Sequence, residues 1–344
     1  MAKKIRVGLM FGGESPEHEI SIRSAETVVE LLNPKRYQIV PLGIARNGKW
    51  KMAQKAGQSL TQVLKKGKLF VEWGKLGEKV DLIFPCLHGP FGEDGTIQGL
   101  CELLNVPYVG CGVLSSAVGM DKSIQKRLFN QQGLPVLDSY SFEKWSWKLL
   151  SDGIVEDIMK RFPFPVFVKP CRLGSSIGIS RVDSPKDLEK GLNLAFRHDS
   201  KVLIEKAVVS AREFEVSVMG NELPEVSEVG ETIPSNEFFD YEAKYKKPSG
   251  KRVPAEIPDN VRKQMQVWAG MAYLALDCKG FARVDFLAKP DLSEIYLGEI
   301  NTIPGLTPTS LFLKLWEASG KKPANVIEQL IQLALDLHKE KVRP

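Results

Sequence analysis

Two pairs of polar residues in the last third of the chain have the type and spacing of a metal site. Arg283 and Asp285 lie two residues apart in one apolar segment, and Glu299 and Asn301 lie two apart in the next. Because alternate residues of a strand share a face, each pair points one way. Two carboxylates and an amide carbonyl on adjacent strands form a cluster that Mg²⁺ prefers, with substrate phosphates completing the coordination. The alternative is a structural ion bridge between Arg283 and one of the carboxylates.

A second candidate is the loop that follows Lys169. The lysine ends a predicted strand, a small polar loop with Gly174, Ser175 and Ser176 follows, and another strand begins at Gly178. Backbone N–H groups of such a loop can bind phosphate oxygens, and the lysine adds a positive charge. The pattern GxxxxGK(S/T) does not occur, so this is not a Walker A loop. An ordinary hairpin turn with a solvated lysine is the alternative interpretation.

The segment 203–209 joins the middle and last thirds of the chain and combines apolar residues with a polar edge. Such a linker could hold an adenine ring, with Glu213 placed for a ribose hydroxyl, or it could be a plain domain connector.

The sequence from Gly110 to Ser115 resembles the GxGxxG fingerprint of dinucleotide-binding folds. It lacks the third glycine, however, and it follows the fourth predicted strand rather than the first. We therefore predict a helix-capping turn there, which disfavours an NAD-dependent oxidoreductase.

These residues need a scaffold, and the composition predicts a globular one. The 344 residues contain 47 Lys and Arg against 42 Asp and Glu, a net charge of +5, and 43% hydrophobic residues. This length predicts two or three domains. No apolar run is long enough for a membrane span or a signal peptide, and the five cysteines never form CxxC. We therefore expect a reducing cytoplasm and no membrane partner.

The small positive charge is compatible with nucleic acid or with phosphate-bearing small molecules. No basic helix with interleaved aromatic residues occurs, so we expect no nucleic-acid partner.

The first third of the chain alternates strands and helices, which predicts a parallel sheet wound in βαβ units. The predicted strands are Ile5–Phe11, Tyr37–Ala45, Val80–Leu87 and Val106–Val109, and the predicted helices are Ser21–Leu32 and Thr96–Leu104.

The rest of the chain predicts further mixed α/β structure around a polar, turn-rich segment, 231–258, that is a candidate lid. The predicted strands are Pro165–Lys169, Gly178–Val182, Lys201–Glu205, Glu213–Met219, Leu223–Gly230, Ala282–Leu287 and Ile295–Ile300. The predicted helices are Ser123–Gln132, Ser184–Phe196, Asp259–Ala275 and Asn325–Leu337.

Together these pieces resemble an ATP-grasp ligase, and three motifs make the resemblance narrower. Residues 12–21 (GGESPEHEIS), 88–95 (HGPFGEDG) and 301–307 (NTIPGLT) resemble, in order, the signatures of D-alanine–D-alanine ligases. The resemblance implies an α/β fold in which an N-terminal parallel α/β domain precedes two α+β domains that clamp the nucleotide. The implied domains are 1–121, 122–205 and 206–344, with a mobile lid at 231–257.

The resemblance also implies a role for individual residues. ATP would be bound by Lys122, Lys169, Ser176, Glu205, Lys206, Ala207, Val208, Glu213 and Lys244. Two Mg²⁺ or Mn²⁺ ions would be held by Asp285, Glu299 and Asn301. The amino-acid substrates would be bound by Glu17, His88, Ser310 and Leu311, and catalysis would involve Glu17, Ser175, Tyr245, Arg283 and Gly305.

The implied activity is the ATP-dependent joining of two D-alanines through an acyl phosphate, for peptidoglycan precursor synthesis. D-Alanine and ATP would be the small-molecule partners, and a homodimer is implied by the resemblance alone. Tyr245 would close the lid and favour an amine as second substrate. The alternatives are a related carboxylate–amine ligase with a different second substrate such as D-serine, and a nucleotide-binding module without ligase activity.

Overall fold

The computed structural model describes residues 3–54, 57–70, 72–233 and 250–341. Over these ranges the strands form three sheets, and the first has the order β4-β3-β2-β1-β5. Its strands are β1 (Ile5–Gly12), β2 (Tyr37–Ile44), β3 (Trp50–Met52), β4 (Lys68–Leu69) and β5 (Leu82–Pro85). Strands β2, β1 and β5 are parallel as predicted, but β3 and β4 extend the sheet in antiparallel fashion.

The prediction of a strand at Val106–Val109 is wrong. Only Tyr108 forms a bridge, to Ile83 of β5. Pro107 has no N–H to donate, so the ladder cannot extend through this position. The carbonyl of Pro107 still accepts a hydrogen bond from the Ile83 amide at 2.8 Å.

Five α-helices lie in this region of the described chain; the first four pack against the first sheet, whereas the last contacts the third sheet. They are α1 (His18–Leu31), α2 (Leu60–Lys66), α3 (Leu76–Lys79), α4 (Thr96–Leu103) and α5 (Val113–Met120). Helix α1 starts three residues before the predicted Ser21, which places Glu17 at its N-cap. Gly112 is the residue before α5, so the turn there is the helix-capping turn that we predicted.

The second sheet is antiparallel, with the order β6-β9-β7-β8. Its strands are β6 (Ser139–Glu143), β7 (Val166–Pro170), β8 (Ser180–Val182) and β9 (Lys201–Lys206). Helices α7 (Lys144–Arg161) and α8 (Leu188–Ala195) pack against this sheet, and α6 (Lys122–Gln131), which precedes it in the chain, packs mainly against the third sheet. The predicted helix start at Ser184 is instead a 3₁₀ turn, Pro185–Asp187, that leads into α8.

The third sheet is antiparallel, with the order β12-β11-β10-β13-β14. Its strands are β10 (Arg212–Met219), β11 (Glu225–Ile233), β12 (Gly250–Arg252), β13 (Phe281–Ala288) and β14 (Ile295–Asn301). The helices are α9 (Asp259–Ala275), α10 (Leu311–Ala318) and α11 (Pro323–Glu340). In the described ranges, none of the helices has the length and apolar character that crossing a membrane requires.

The ends of the predicted lid belong to this sheet. Glu231 pairs with Arg252 and Ile233 pairs with Gly250, so both ends are ordinary antiparallel strand rather than irregular loop. Residues 234–249, which include Lys244 and Tyr245, lie outside the described residues.

Candidate active site

A cavity of about 340 Å³ is lined by residues of the second and third sheets, of the start of α1 and of the chain that follows β5. It brings together most of the predicted site residues: Glu17, His88, Lys122, Lys169, Ser175, Ser176, Glu205, Glu213, Arg283, Asp285, Glu299, Asn301, Gly305, Ser310 and Leu311. Three other predicted residues, Lys206, Ala207 and Val208, do not contribute to the lining of this cavity. Lys206 is exposed and Ala207 is buried in the chain that follows β9.

The register of the third sheet assembles an acidic face. Asp285 of β13 pairs with Glu299 of β14 on one side and with Glu215 of β10 on the other, and Arg283 pairs with Asn301. Side chains between these positions point the opposite way and are buried beneath the sheet. The alternation that the sequence predicted for these strands is therefore confirmed, and Glu215 adds a carboxylate to the predicted set.

Arg283 and Asp285 form a two-point ion pair in this face. Nε and Nη2 of the arginine each lie 2.7 Å from a carboxylate oxygen of Asp285, and Nε also lies 2.9 Å from Glu215. Burial raises the pKa of Asp285 to about 6, and Glu215 and Glu299 add to this rise although Arg283 opposes it. The carboxylates therefore exceed the local positive charge in a poorly solvated place, which favours binding of a further cation.

The donor set fits a hard divalent cation. Carboxylate and amide oxygens are the ligands of Mg²⁺ and Mn²⁺. Across the described residues, no group of three His, Cys, Asp or Glu side chains is arranged as a ready-made metal cage. The set fits a metal whose coordination is completed by substrate oxygens, as is usual where Mg²⁺ accompanies phosphates. Glu299 is paired with Lys122, whose Nζ lies 2.8 Å from its carboxylate.

At the opposite wall, a tight loop carries Glu17 into the cavity. Gly12, the last residue of β1, has φ +93°, and a Cβ there would lie 2.2 Å from the carbonyl oxygen of Ile44. Only glycine fits this turn. The chain then reaches Glu17 at the N-terminus of α1, where its carboxylate accepts a hydrogen bond from the hydroxyl of Ser175.

The loop between β7 and β8, which contacts Glu17, has an unusual backbone conformation. Ser175 and Ser176 both have positive φ, 55° and 56°, a conformation that is uncommon for residues other than glycine. Such strain clusters at ligand-binding sites. Lys169, at the end of β7, is not solvated as an ordinary turn lysine would be, because its side chain is 18% exposed and pairs with Glu205.

His88 is buried and bonded through both ring nitrogens. Nε2 lies 2.9 Å from Oγ of Ser24 and Nδ1 lies 3.0 Å from the carbonyl oxygen of Ile303. Burial lowers the pKa of His88, but Glu93, whose carboxylate lies 3.7 Å away, outweighs this effect and the pKa is raised. His88 therefore ties α1 to the loop before Gly305.

That loop ends at the N-terminus of α10. A Cβ on Gly305 would lie 2.8 Å from Oγ of Ser310, so the glycine lets the backbone approach this hydroxyl closely. Ser310 is the residue before α10, and Thr307 shares a hydrogen bond with it at 2.8 Å. Lys251 of β12 donates from its ammonium group to the carbonyl of Thr309. Helix-terminal amides, a hydroxyl and a lysine together suit a carboxylate.

A buried ion cluster lies at the far end of the cavity. One carboxylate oxygen of Glu205 accepts a hydrogen bond from the ammonium group of Lys169, and Nζ of Lys126 lies 3.1 Å from the other oxygen. Burial by itself would raise the pKa of Glu205, but Lys126 and Lys169 outweigh it and lower the pKa to about 2.

Among the residues of the site that sequence reasoning missed are Ser24, Lys126, Glu215 and Lys251. Glu215 follows Glu213 by two on the same predicted strand, and Lys126 lies four residues after Lys122, which immediately precedes the predicted helix Ser123–Gln132. Those spacings place each on the same face as a predicted site residue, which was a usable signal. For Ser24 and Lys251 the sequence carries no comparable local pattern.

Comparison with known proteins identifies the family. Residues 6–111 match the family model described as D-ala D-ala ligase N-terminus, and residues 128–332 match the one described as D-ala D-ala ligase C-terminus. The chain is 44% identical to a D-alanine–D-alanine ligase of a Thermoanaerobacter species, over 99% of both chains. It is 40% identical to that of Natranaerobius thermophilus, over 99% of this chain and 98% of the relative.

Solved structures agree with the sequence matches. The D-alanine–D-alanine ligase of Coxiella burnetii aligns with a TM-score of 0.86 at 34% identity, over 98% of this chain and 96% of that one. The VanG D-Ala:D-Ser ligase of Enterococcus faecalis aligns equally well, with a TM-score of 0.86 at 34% identity, over 96% of this chain and all of that one. The chain has the α/β ATP-grasp fold and belongs to the D-alanine–D-alanine ligase family.

Proposed function

We propose that this protein joins two D-alanines to D-alanyl-D-alanine with ATP, through an acyl phosphate, and so supplies a peptidoglycan precursor. The main support for the proposal is that one cavity contains both a face suited to metal ions and phosphates and groups suited to an amino acid. The acidic face of β10, β13 and β14 lies on one wall, and the groups suited to an amino acid, Glu17 and Ser310, lie on the others. The family membership and the ligase names of its relatives support the same activity.

The metal-binding role falls to Asp285, Glu299 and Asn301, to which we assign two Mg²⁺ or Mn²⁺ ions. Bound there, the ions would neutralise the charge of the phosphates and polarise the P–O bond that breaks when the γ-phosphoryl group is transferred. Asn301 donates its amide nitrogen to Asp285 at 3.0 Å, so its amide oxygen is directed away from that carboxylate.

The first D-alanine is bound through its ammonium group by Glu17, a charge-assisted hydrogen bond. Ser175 orients the carboxylate of Glu17 through its own hydroxyl. The substrate carboxylate then attacks the γ-phosphate of ATP, which Lys122, Lys169 and the amides around Ser176 hold in place. The roles assigned to Lys244 and Tyr245 rest on the resemblance alone, since both lie outside the described residues.

The second D-alanine is bound through its carboxylate by Ser310 and the backbone amide of Leu311. Its amine displaces phosphate from the acyl phosphate, and negative charge develops on the carbonyl oxygen. Arg283 and the backbone of Gly305 stabilise this charge, as donors aimed at a developing oxyanion do. His88 orients the loop that carries Gly305, because its ring nitrogens face Ser24 and Ile303.

The nucleotide is held where the second and third sheets meet. We assign Glu205, Lys206, Ala207 and Val208 to adenine and Glu213 to the ribose. We also propose the domain limits 1–121, 122–205 and 206–344. The second limit falls at the end of β9, and the first falls immediately before α6. A cytoplasmic homodimer is part of the same proposal, and only the resemblance to the family supports the dimer.

The test is an assay of the purified chain with ATP, Mg²⁺ and D-alanine, scored for phosphate and for dipeptide by mass. The account expects D-alanine-dependent phosphate release with one dipeptide per phosphate. Glu17→Gln should lower the rate about a hundredfold, since it removes a charge that pairs with the substrate. Glu26→Gln, on an exposed position of the same helix, is the matched control. An absence of D-alanine-dependent phosphate release by the unaltered chain would contradict the proposal.

D-Serine as second substrate is the competing candidate, because the VanG D-Ala:D-Ser ligase aligns as well as the Coxiella enzyme does. Backbone similarity therefore does not separate the two activities. Running D-serine, D-lactate and L-alanine in parallel separates them, and we expect D-alanine to have the highest kcat/KM.

A further inference from the structure

Lys126 is a buried charge to which the proposed reaction assigns no role. It lies one helical turn after Lys122 in α6, and its side chain is only 5% exposed. Its ammonium nitrogen is 3.1 Å from Oε2 of Glu205, which is itself 3% exposed. Within the described part of the chain, Glu205 is the one acidic side chain that forms an ion pair with Lys126.

A buried ion pair of this kind contributes little to the stability of the fold. Taking an ammonium group and a carboxylate out of water costs more than a hydrophobic pair of similar size would. The pair nevertheless lines the cavity in which the nucleotide is proposed to bind. Its position points to a task in ligand recognition rather than in folding.

The two oxygens of Glu205 have different partners. Phe167 pairs with Glu205 and Lys169 pairs with Leu203, so Lys169 and Glu205 are diagonal neighbours on one face of the second sheet. Lys169 donates a hydrogen bond to Oε1, whereas Nζ of Lys126, on α6, forms a close ion pair with Oε2. Lys169 is 18% exposed whereas Lys126 is 5% exposed, so Lys169 is the partner with room to turn towards a phosphate.

When Lys169 binds a phosphate, Oε1 of Glu205 becomes an acceptor while Lys126 still holds Oε2. An ionised carboxylate can only accept hydrogen bonds. Adenine presents a donor at position 6, its amino group, whereas guanine presents an acceptor there. A site built around a buried acceptor rejects the ligand that leaves the acceptor unpaired.

We propose that Lys126 is a positioning residue for nucleobase selection: it fixes Glu205 by one oxygen so that the other reads the 6-amino group of ATP. This inference rests on the proposed function, because it takes Lys169 as a phosphate-binding residue. It concerns the choice between ATP and GTP, and it is independent of which amino acids are joined.

The experiment measures binding of ATP and GTP to the full chain by calorimetry, without amino acids, for the unaltered protein, Lys126→Met and Lys126→Arg. Without Lys126, the carboxylate of Glu205 is no longer held in place. Loss of its charge-assisted hydrogen bond to the 6-amino group should weaken ATP binding about tenfold or more. GTP binding should change less than threefold, so the preference for ATP over GTP should be lost in Lys126→Met. Lys126→Arg should keep most of that preference. Arg127→Met, an exposed neighbour on the same helix, should leave the preference unchanged.

Two results would overturn the inference. An equal loss of ATP and GTP binding would make Lys126 a phosphate-binding residue, and an unchanged preference with lower stability would make it structural. If Lys126→Met does not fold, Glu205→Gln decides, because its amide can donate to a 6-oxo group and should shift the preference towards GTP. Absence of ligase activity in the unaltered chain would remove the proposed function but would leave this nucleotide comparison intact.

Discussion

The hydroxyl of Ser24 lies 2.9 Å from Nε2 of His88, and both side chains are buried. The same hydroxyl accepts a hydrogen bond from the backbone amide of Leu306 at 3.1 Å. Because Nδ1 of His88 faces the carbonyl oxygen of Ile303, this nitrogen donates a hydrogen bond to it, and Nε2 is the ring nitrogen that bonds to Ser24. One serine therefore connects α1, His88 and the loop whose Gly305 amide we assign to the oxyanion.

Ser24→Ala should slow the reaction without weakening ATP binding. It leaves the Leu306 amide without its buried acceptor, a cost of about 1–3 kcal/mol, and lets the Gly305 loop shift. We expect kcat to fall about tenfold and the KM for ATP to stay within twofold, since a small misplacement near the reacting atoms is costly.

Thr27→Ala is the matched control, because Thr27 is a buried hydroxyl on the same helix whose bond goes to the carbonyl of Arg23. It should lower stability slightly and leave kcat unchanged. Equal effects of the two substitutions on kcat would show that the connection to Leu306 has no part in catalysis.

Lys122→Met should change metal and nucleotide binding in opposite directions. Nζ of Lys122 lies 2.8 Å from the carboxylate of Glu299 and 2.8 Å from the carbonyl of Leu173. The lysine thus competes with a divalent ion for Glu299 in the absence of nucleotide. We expect Mn²⁺ binding without nucleotide, measured by electron paramagnetic resonance, to tighten severalfold, and the KM for ATP to rise about tenfold.

Lys190→Met, at an exposed position of α8, is the control and should alter neither quantity. A Lys122→Met protein whose Mn²⁺ affinity is unchanged or weaker would contradict the competition between the lysine and the metal.

The contribution of Asp285 to the stability of the metal-free protein should fall between pH 4 and 6. Burial raises its pKa from the ordinary 3.8 to about 6, so the folded state binds the proton more tightly than the unfolded chain. This contribution is fully present below about pH 4 and is lost as the pH rises to about 6, with a total on the order of 2 kcal/mol.

Urea unfolding at pH 4, 5, 6 and 7 checks this, with Asp285→Asn as the comparison, because an amide cannot ionise. The stability of the unaltered protein relative to Asp285→Asn should decline over that range and then level off. A relative stability that rises with pH would mean that Arg283 dominates and that the carboxylate is ionised throughout. Under the same proposal, Asp285→Asn should also weaken Mn²⁺ binding in the presence of ATP.

Period-two alternation within strands was the most reliable guide to the site. It placed Arg283 with Asp285 and Glu299 with Asn301, and the register Asp285 to Glu299 confirms that the two strands face the cavity together. Alternation depends on local backbone geometry, so a single sequence carries it. The strand predicted at Val106–Val109 as part of the parallel sheet was wrong, because one proline ended the ladder.

Contacts between distant segments could not be predicted in this way. Ser24 and His88 are 64 residues apart, and His88 and Ile303 are 215 apart. The first contact depends on how α1 packs beside the chain that follows β5, and the second on how the N-terminal region packs against the chain that follows β14. Helix α7 was missed for another reason: its apolar residues Trp145, Leu149 and Leu150 are exposed, which blurs the one-sided stripe that marks an amphipathic helix.

An oxygen label shows whether one D-alanine carboxylate attacks ATP in this cavity. D-Alanine carrying ¹⁸O in its carboxylate is turned over with ATP and Mg²⁺, and the released phosphate is analysed by mass. The attacking oxygen stays with phosphorus when the second amine displaces phosphate, so each phosphate should contain one ¹⁸O atom. Phosphate without ¹⁸O, released in the presence of D-alanine, would mean that water attacks ATP and that the acyl phosphate account is wrong.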